Sequence, residues 1–419
     1  MQRQAGGGDR RLIEQTLQQP ASSKLPNLNI ALVHEWLTPL ATGGSELVVK
    51  EILQTLAAHN LDADLYALID FESTNPNSYL YKRKIGTTFL QQFPLARRGV
   101  QKYLPFLPLA IEQLDLRAYD VILSSAHAVA KGVLTAPHQL HICYCHTPMR
   151  YAWDMTFEYL ASSKMGRGLL GIPTRYLLHQ LRQWDVLTAN RVDYFIANSH
   201  NTAQRIWRYY RRPATVIYPP VDTHRFQLQE AKEDFYLTVA RLVSYKKISL
   251  IVEAFNQLKK PLIVIGDGPE MKQIRRLARP NIQILGWQPD AVVDSYMSRA
   301  KAFVYAAFED FGITPVEAQA CGTPVIAFGK GGTAETVRDL REHRDKGTGV
   351  LFKEQTVAAL VDAVSIFEKN LGLLDPGVVR SQALSFSPEF FQEQYAKFLA
   401  SCYQEFHNQR NSWQSQRLS

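Results

Sequence analysis

The chain has 419 residues, 46% hydrophobic and 21% charged, with 47 Lys and Arg against 39 Asp and Glu for a net charge of +8. This length exceeds one ordinary core, and the composition excludes a disordered chain or a fibrous repeat. Four cysteines are too few for a disulfide framework, no window reaches the ~18 apolar residues that span a bilayer, and the positive balance points to anionic partners.

In chain order, residues 1–28 are polar, contain Gly6-Gly7-Gly8 and lack the apolar stretch of a signal peptide, so they read as a loose tail. Strands are predicted at Asn29–His34, Ala63–Ile69, Asp120–Ser124, Leu140–Cys145 and Asp193–Asn198. Helical stretches lie between them, such as Glu46–Ala58 with Leu47, Val48, Leu53 and Leu56 apolar. Cys143 and Cys145 fall on one face of their strand. With no second Cys pair nearby they read as small buried residues, and reduced thiols suggest the cytoplasm. The segment Tyr218-Pro219-Pro220-Val221-Asp222 reads as a stiff link, because two prolines continue neither a helix nor a central strand.

Strands then follow at Phe235–Val239, Leu262–Ile265, Ile282–Leu285, Ala302–Tyr305 and Pro324–Phe328, with Val350–Phe352 as the last. A final helix over Pro388–Phe406 carries Phe390, Phe391, Tyr395, Phe398 and Tyr403. The organisation expected is a tail (1–28), a first Rossmann-like domain (29–217), a second Rossmann-like domain (218–387), a helix able to cross back to the first domain (388–407) and a tail (408–419). The fold class is α/β: two doubly wound Rossmann-like domains facing across a cleft, with ligand at the carboxyl ends of both sheets.

Four motifs fall at such strand ends. Gly43-Gly44-Ser45-Glu46 opens the first helix, where free N–H groups and the dipole favour an anion, although a Gly-Gly pair before a helix is more often only a turn. Arg241 and Lys246 in Ala240–Lys247 follow the first strand of the second domain and suit a diphosphate, although a solvated basic loop has the same composition. In Glu309-Asp310-Phe311-Gly312-Ile313-Thr314-Pro315-Val316-Glu317 a loop carboxylate and a helix carboxylate flank a Gly-containing turn, a cradle for sugar hydroxyls and phosphate. His146 in Tyr144-Cys145-His146-Thr147-Pro148 ends a first-domain strand, and His127 occupies an equivalent position as a second sugar or acceptor contact.

Together these features resemble glycosyltransferase family 4, retaining enzymes of GT-B fold, over roughly Asn29 to Phe406. The Glu309/Glu317 string is the most specific part. S-S-A-H-A-V-A-K-G, C-H-T-P-M-R-Y-A-W-D and A-R-L-V-S-Y-K-K are similar to a bacterial mannosyltransferase subgroup of polysaccharide assembly. The resemblance implies that Arg241 and Lys246, with the Gly43-Gly44 loop, bind the donor diphosphate and that Glu317 binds the ribose. It implies that Glu309 and the backbone of Phe311-Gly312-Ile313 hold the transferred sugar, with His146 beside the reacting bond. Ala240 departs from the family's usual Gly. No Asp-x-Asp string falls at the cleft edges, so fixed cations rather than a metal are expected at the leaving diphosphate, and no cofactor is implied.

The resemblance further implies GDP-mannose as donor and a polyprenyl-diphosphate-linked saccharide as acceptor. From Ser73 to Ile111 there is no acid, while Lys82, Arg83, Lys84, Arg97, Arg98 and Lys102 alternate with apolar and aromatic residues. Leu160–Trp184 is likewise acid-free, with Lys164, Arg167, Arg175 and Arg182. Such segments suit peripheral docking on the anionic inner face of the cytoplasmic membrane; a basic face over a packed helix is the rival reading. No nucleic-acid module is present. A transferase for a small soluble acceptor and a non-catalytic nucleotide-sugar-binding subunit are the alternatives.

Overall fold

Runs such as Ile30–His34, Val121–Ala126 and Leu140–Cys145 are buried at every residue. Strands of this kind have no face for water and belong at the centre of a parallel sheet covered on both sides. The computed structural model describes residue 26 and residues 28–39, 43–162 and 171–418. Most of the expected tail over 1–28 lies outside these residues, as do Lys164 and Arg167. The chain divides into two units, one running to Tyr218 and resuming at Phe391, the other spanning Pro219–Phe390.

The first unit contains a seven-stranded sheet in the order β3-β2-β1-β4-β5-β6-β7. Its strands are β1 (Ile30–His34), β2 (Ala63–Ala67), β3 (Ile85–Thr87), β4 (Val121–Ala126), β5 (Leu140–Cys145), β6 (Tyr194–Ala197) and β7 (Ala214–Val216). All pairings are parallel. Alternate side chains feed two cores: Ala31, Val33, Ile122, Cys143 and Cys145 on one face, Ile30, Leu32, Val121, Leu123 and Tyr144 on the other. Burial pushes the Cys143 thiol up to about 12, which keeps it a protonated packing group. Strands β3 and β7 were not expected. Each is three residues long and too short to show a period.

The second unit has a six-stranded parallel sheet in the order β10-β9-β8-β11-β12-β13. These are β8 (Tyr236–Val239), β9 (Leu262–Ile265), β10 (Ile282–Gly286), β11 (Ala302–Tyr305), β12 (Val325–Phe328) and β13 (Gly349–Phe352). Strand order reverses between β1 and β4 in the first sheet and between β8 and β11 in the second. A crevice opens outside the carboxyl ends of strands at such a reversal.

The last helix, Pro388–Leu418, buries Phe391, Tyr395, Phe398, Leu399 and Cys402 in the second core of the first unit. It continues past His407 through the stretch expected to be a tail. The residues there, rich in Gln, Arg, Asn and Ser and free of Gly and Pro, are polar but compatible with a helix. Polarity was mistaken for disorder.

Candidate active site

In the second unit the loops after β8 and β11 leave adjacent strands at the reversal of strand order. Lys246 ends a short turn of 3-10 helix, Ser244–Lys246, in the first loop. Its Nζ lies 2.5 Å from Glu309 Oε1 and 3.2 Å from the Tyr305 hydroxyl. Tyr305, at the end of β11, donates to Glu309 Oε2. Both oxygens of Glu309 are thereby held by the protein. Burial and the adjacent Glu309 charge raise the Tyr305 phenol well above its ordinary range, so it remains a donor at every physiological pH.

The Glu309 loop is also fixed through its backbone. Gly332 N–H donates to Glu309 O at 2.9 Å. A Cβ on Gly332 would stand 2.1 Å from Phe311 O, so only glycine permits this approach. Phe311 turns its ring into the interior against Phe386, at 5.6 Å between centroids. Gly312 takes φ +84° and starts the helix Ile313–Ala320, whose first-turn N–H groups have no helical acceptor.

Glu317 lies on that helix, separate from the Lys246–Glu309 pair. Burial raises its carboxyl, Arg225 lowers it, and Asp294, Asp290 and Asp222 raise it again, for a net value of about 7. Arg225 is held at 2.5 and 2.7 Å by Asp294 and at 3.3 Å by Asp290. Arg241 is exposed and joins no ion pair among the described residues. Of the expected residues in this unit, the structure therefore joins Lys246 to Glu309 directly, and the Phe311-Gly312-Ile313 turn begins two residues after Glu309. Tyr305 and Arg225 were missed. Tyr305 read only as the end of a strand, and nothing in its local sequence marks Arg225.

In the first unit the reversal brings together the ends of β1, β4 and β5. His34 Nδ1 lies 3.1 Å from Ser125 Oγ, and Ser125 Oγ lies 2.8 Å from His146 Nε2. His127 and His146 meet edge to face at 6.3 Å, and Trp36 packs on His127 at 4.7 Å. Glu35, fully buried, accepts the N–H groups of His127, Ala128 and Ala130 on Oε1 and that of Val129 on Oε2, at 2.8–3.1 Å. This carboxylate ties down the turn that carries His127. Burial lowers the basicity of His127, and burial with the neighbouring His127 and His34 lowers that of His146 further. Both shifts favour the uncharged ring.

The Gly43-Gly44 turn opens the helix Gly44–Ala58. Gly43 N–H and the Ser45 hydroxyl both donate to Glu46 Oε2 at 2.9 Å. A phosphate at this turn would have to displace that carboxylate. Glu46 Oε1 in turn faces His34 Nε2 at 3.9 Å. His34, Glu35 and Ser125 were missed. His34 ends its strand just as His146 follows its own, a signal that was available; Ser125 carries none. Among the described residues no group of three or more His, Cys, Asp and Glu could hold a metal ion.

Two family models match the chain. "Glycosyltransferase Family 4" covers residues 42–225 and "Glycosyl transferases group 1" covers residues 220–374. An uncharacterised glycosyltransferase of Methanocaldococcus jannaschii is 32% identical over 131 residues, 30% of this chain but 37% of that protein. The α-1,3/1,6-mannosyltransferase ALG2 of Saccharomyces cerevisiae is 22% identical over 77% of this chain and 74% of its own length. The lipopolysaccharide core biosynthesis mannosyltransferase LpsB of Rhizobium meliloti is 29% identical over 53% of this chain and 68% of its own. Among solved structures, Anabaena HepE in complex with UDP-glucose superposes with a TM-score of 0.62 at 19% identity, over 90% of this chain and all of that one. At that identity the likeness establishes the fold, which is GT-B.

Proposed function

The chain belongs to glycosyltransferase family 4, and from that premise we propose that it is a retaining hexosyltransferase moving mannose from GDP-mannose to a polyprenyl-diphosphate-linked saccharide. One observation carries the donor side of this reading. A lysine and a glutamate, 2.5 Å apart, stand at the strand-order reversal of the second sheet beside a helix start and a second buried-side glutamate. Lys246 and Arg241 neutralise the leaving diphosphate, and Glu317 accepts from the ribose hydroxyls. Glu309 lies against the transferred sugar, where positive charge develops as the bond from C1 to the phosphate oxygen breaks. The acceptor oxygen forms its bond to C1 on the same face, and its proton passes to the departing phosphate. His146 contacts the sugar. Fixed cations make a metal unnecessary at the diphosphate, so turnover is expected to survive EDTA.

Mannose is favoured by relatives whose names state mannosyl transfer. UDP-glucose, seen in HepE, is the competing donor. The lipid-linked acceptor is supported by side chains on the first unit. Within the basic segments, Leu90 and Leu107 are buried and Phe89, Phe93, Tyr103 and Leu104 pack against the core. Leu95, Phe106, Leu109, Ile172 and Tyr176 remain exposed, near Arg97, Lys102 and Arg175. No described helix is long and apolar enough to cross a membrane, so attachment at the inner face of the cytoplasmic membrane would be peripheral. The test offers GDP-mannose and UDP-glucose in turn, with a polyprenyl-diphosphate saccharide or a free sugar phosphate, with and without EDTA, and analyses products by mass. Transfer from GDP-mannose to the lipid-linked acceptor alone is the expected result. Transfer to the free sugar phosphate overturns the lipid reading, and absence of transfer from any donor overturns the enzymatic one.

A further inference from the structure

The last two polar residues of β4, Ser124 and Ser125, each hold a histidine, on opposite faces of the sheet. Ser124 Oγ lies 2.8 Å from His141 Nε2, and His141 Nδ1 lies 2.9 Å from Arg191 O. A carbonyl oxygen only accepts, so the His141 proton is on Nδ1 and Nε2 receives the serine proton. Both ring nitrogens are used, the ring is fully buried, and burial lowers its basicity to about 4. This histidine is a structural group.

On the other face the same logic runs through one more residue. His34 Nδ1 lies 3.2 Å from Ser125 O as well as 3.1 Å from Ser125 Oγ. The carbonyl contact again requires a proton on Nδ1. With His34 Nδ1 protonated, Ser125 Oγ cannot donate to it, which leaves the hydroxyl proton for His146 Nε2 at 2.8 Å. With Nε2 accepting that proton, the neutral form that burial favours carries its single proton on Nδ1. That nitrogen bonds to no described protein group, and the residue is partly exposed. The charged and titratable groups facing this relay include Glu46 at His34 Nε2, Glu35 beneath the His127 turn, His127 itself, and Tyr144, whose ring lies 5.0 Å from that of His146.

We propose that Ser125 and His34 are positioning residues that lock His146 as a hydrogen-bond donor, presenting Nδ1–H to an oxygen of the substrate. The relay runs from His34 Nδ1–H to Ser125 Oγ–H to His146 Nε2. With Nε2 occupied and Nδ1 protonated, His146 has no lone pair to act as a general base. Its contribution is to hold a sugar or phosphate oxygen. This rests on the reading of His146 as a substrate contact, but its first test needs no substrate.

Nitrogen-15 NMR of the full-length protein, labelled at histidine, reads the tautomer directly. In the unsubstituted protein His146 is expected as the Nδ1–H form. Ser125→Ala is expected to release it into a mixture of tautomers, and Ser125→Thr, which keeps the hydroxyl, to restore the single form. In transfer assays Ser125→Ala is expected to lower turnover about five- to tenfold, the worth of one neutral hydrogen bond, with the donor KM within about twofold and rescue by Ser125→Thr. An Nε2–H form in the unsubstituted protein overturns the relay, as does a tautomer that ignores Ser125→Ala. If Ser125→Ala does not fold, the unsubstituted spectrum alone decides. If the tautomers behave as stated and no glycosyl transfer is found, the relay stands and the enzymatic reading fails.

Discussion

Each unit contains a lysine–carboxylate pair whose lysine comes from a sequence motif, and the two pairs differ in their surroundings at nearly the same distance. Lys131 Nζ lies 2.6 Å from Asp185 Oδ1, with side-chain exposures of 2% and 0%. Lys246 Nζ lies 2.5 Å from Glu309 Oε1, with exposures of 15% and 22%. The surroundings separate them. Asp185 Oδ2 also accepts from Trp153 Nε1 and the Tyr210 hydroxyl. Lys131 is closed off by Thr188 and by the rings of Trp184 and Tyr210. Both carboxylate oxygens and two of the three ammonium protons have partners, and the pair is sealed from solvent, so a ligand has no way to reach it. The second pair is partly open, and its loop sits at a strand-order reversal. On the proposed reading, a donor phosphate takes Lys246 while Tyr305 keeps hold of Glu309.

The largest effect should come from the closed pair. Lys131→Met strands a buried carboxylate and is expected to cost about 3–5 kcal/mol of stability, read by urea unfolding, while turnover per folded molecule stays near normal. A loss of turnover with unchanged stability would make the closed pair functional and erase the contrast. Next comes Glu309→Gln, expected to lower turnover roughly a hundredfold or more, as for other groups that stabilise charge in the transition state. Saturating acceptor with varied donor measures it, and near-normal turnover would remove Glu309 from the reacting sugar. Lys246→Ala is expected to lower turnover roughly ten- to hundredfold, the range of a charged hydrogen bond, with a smaller loss of donor affinity. The same substitution should cost clearly less stability than Lys131→Met, because this pair is partly open to solvent. Equal stability losses at Lys131 and Lys246 would show that burial is not what separates the pairs.

The smallest effect is at Glu317, where Gln should mainly raise the donor KM, because ribose contacts act alike in ground and transition states. Its carboxyl titrates at about 7 against an ordinary 4.5, which gives a pH signature. Hydrogen bonds from two hydroxyls need the carboxylate, so the donor KM should rise as pH falls through 7. Stability runs the other way. A carboxyl raised on folding favours the fold below its unfolded value and loses that contribution as pH rises through the folded one. Glu317→Gln should therefore stabilise the donor-free protein at pH 8 more than at pH 5, and a flat difference in melting temperature across that range would contradict the assignment.

Legibility of the site varied with the distance over which its parts are joined. Glu309 on a loop and Glu317 on the following helix could be placed from spacing alone, because strand, turn and helix there are consecutive. Lys246 was recognised as a candidate, but not its bond to a residue 63 positions on. The motif S-S-A-H-A-V-A-K-G drew attention to His127, whereas the structure gives Ser125 a histidine on each side and spends Lys131 on the core. The Gly43-Gly44 turn read as an anion site, yet Glu46, three residues along, takes the Gly43 N–H. That residue was visible, and its ability to fold back on its own helix start was the signal overlooked.

What the sequence determined by itself is the part governed by neighbours along the chain. Apolar runs of four to six residues fixed the central strands; the strand–helix alternation fixed parallel sheets; prolines and glycines fixed the turns. Strand order is not a local property. It alone brings His34 beside Ser125, 91 residues away, and Ser125 beside His146, 21 residues away. Whether a histidine proton sits on Nδ1 or Nε2, and whether a lysine is sealed or open, depends on which strand ends are adjacent and how deeply they are buried. Those are facts of tertiary structure, because hydrogen-bond partners and desolvation are set by what lies nearest in space.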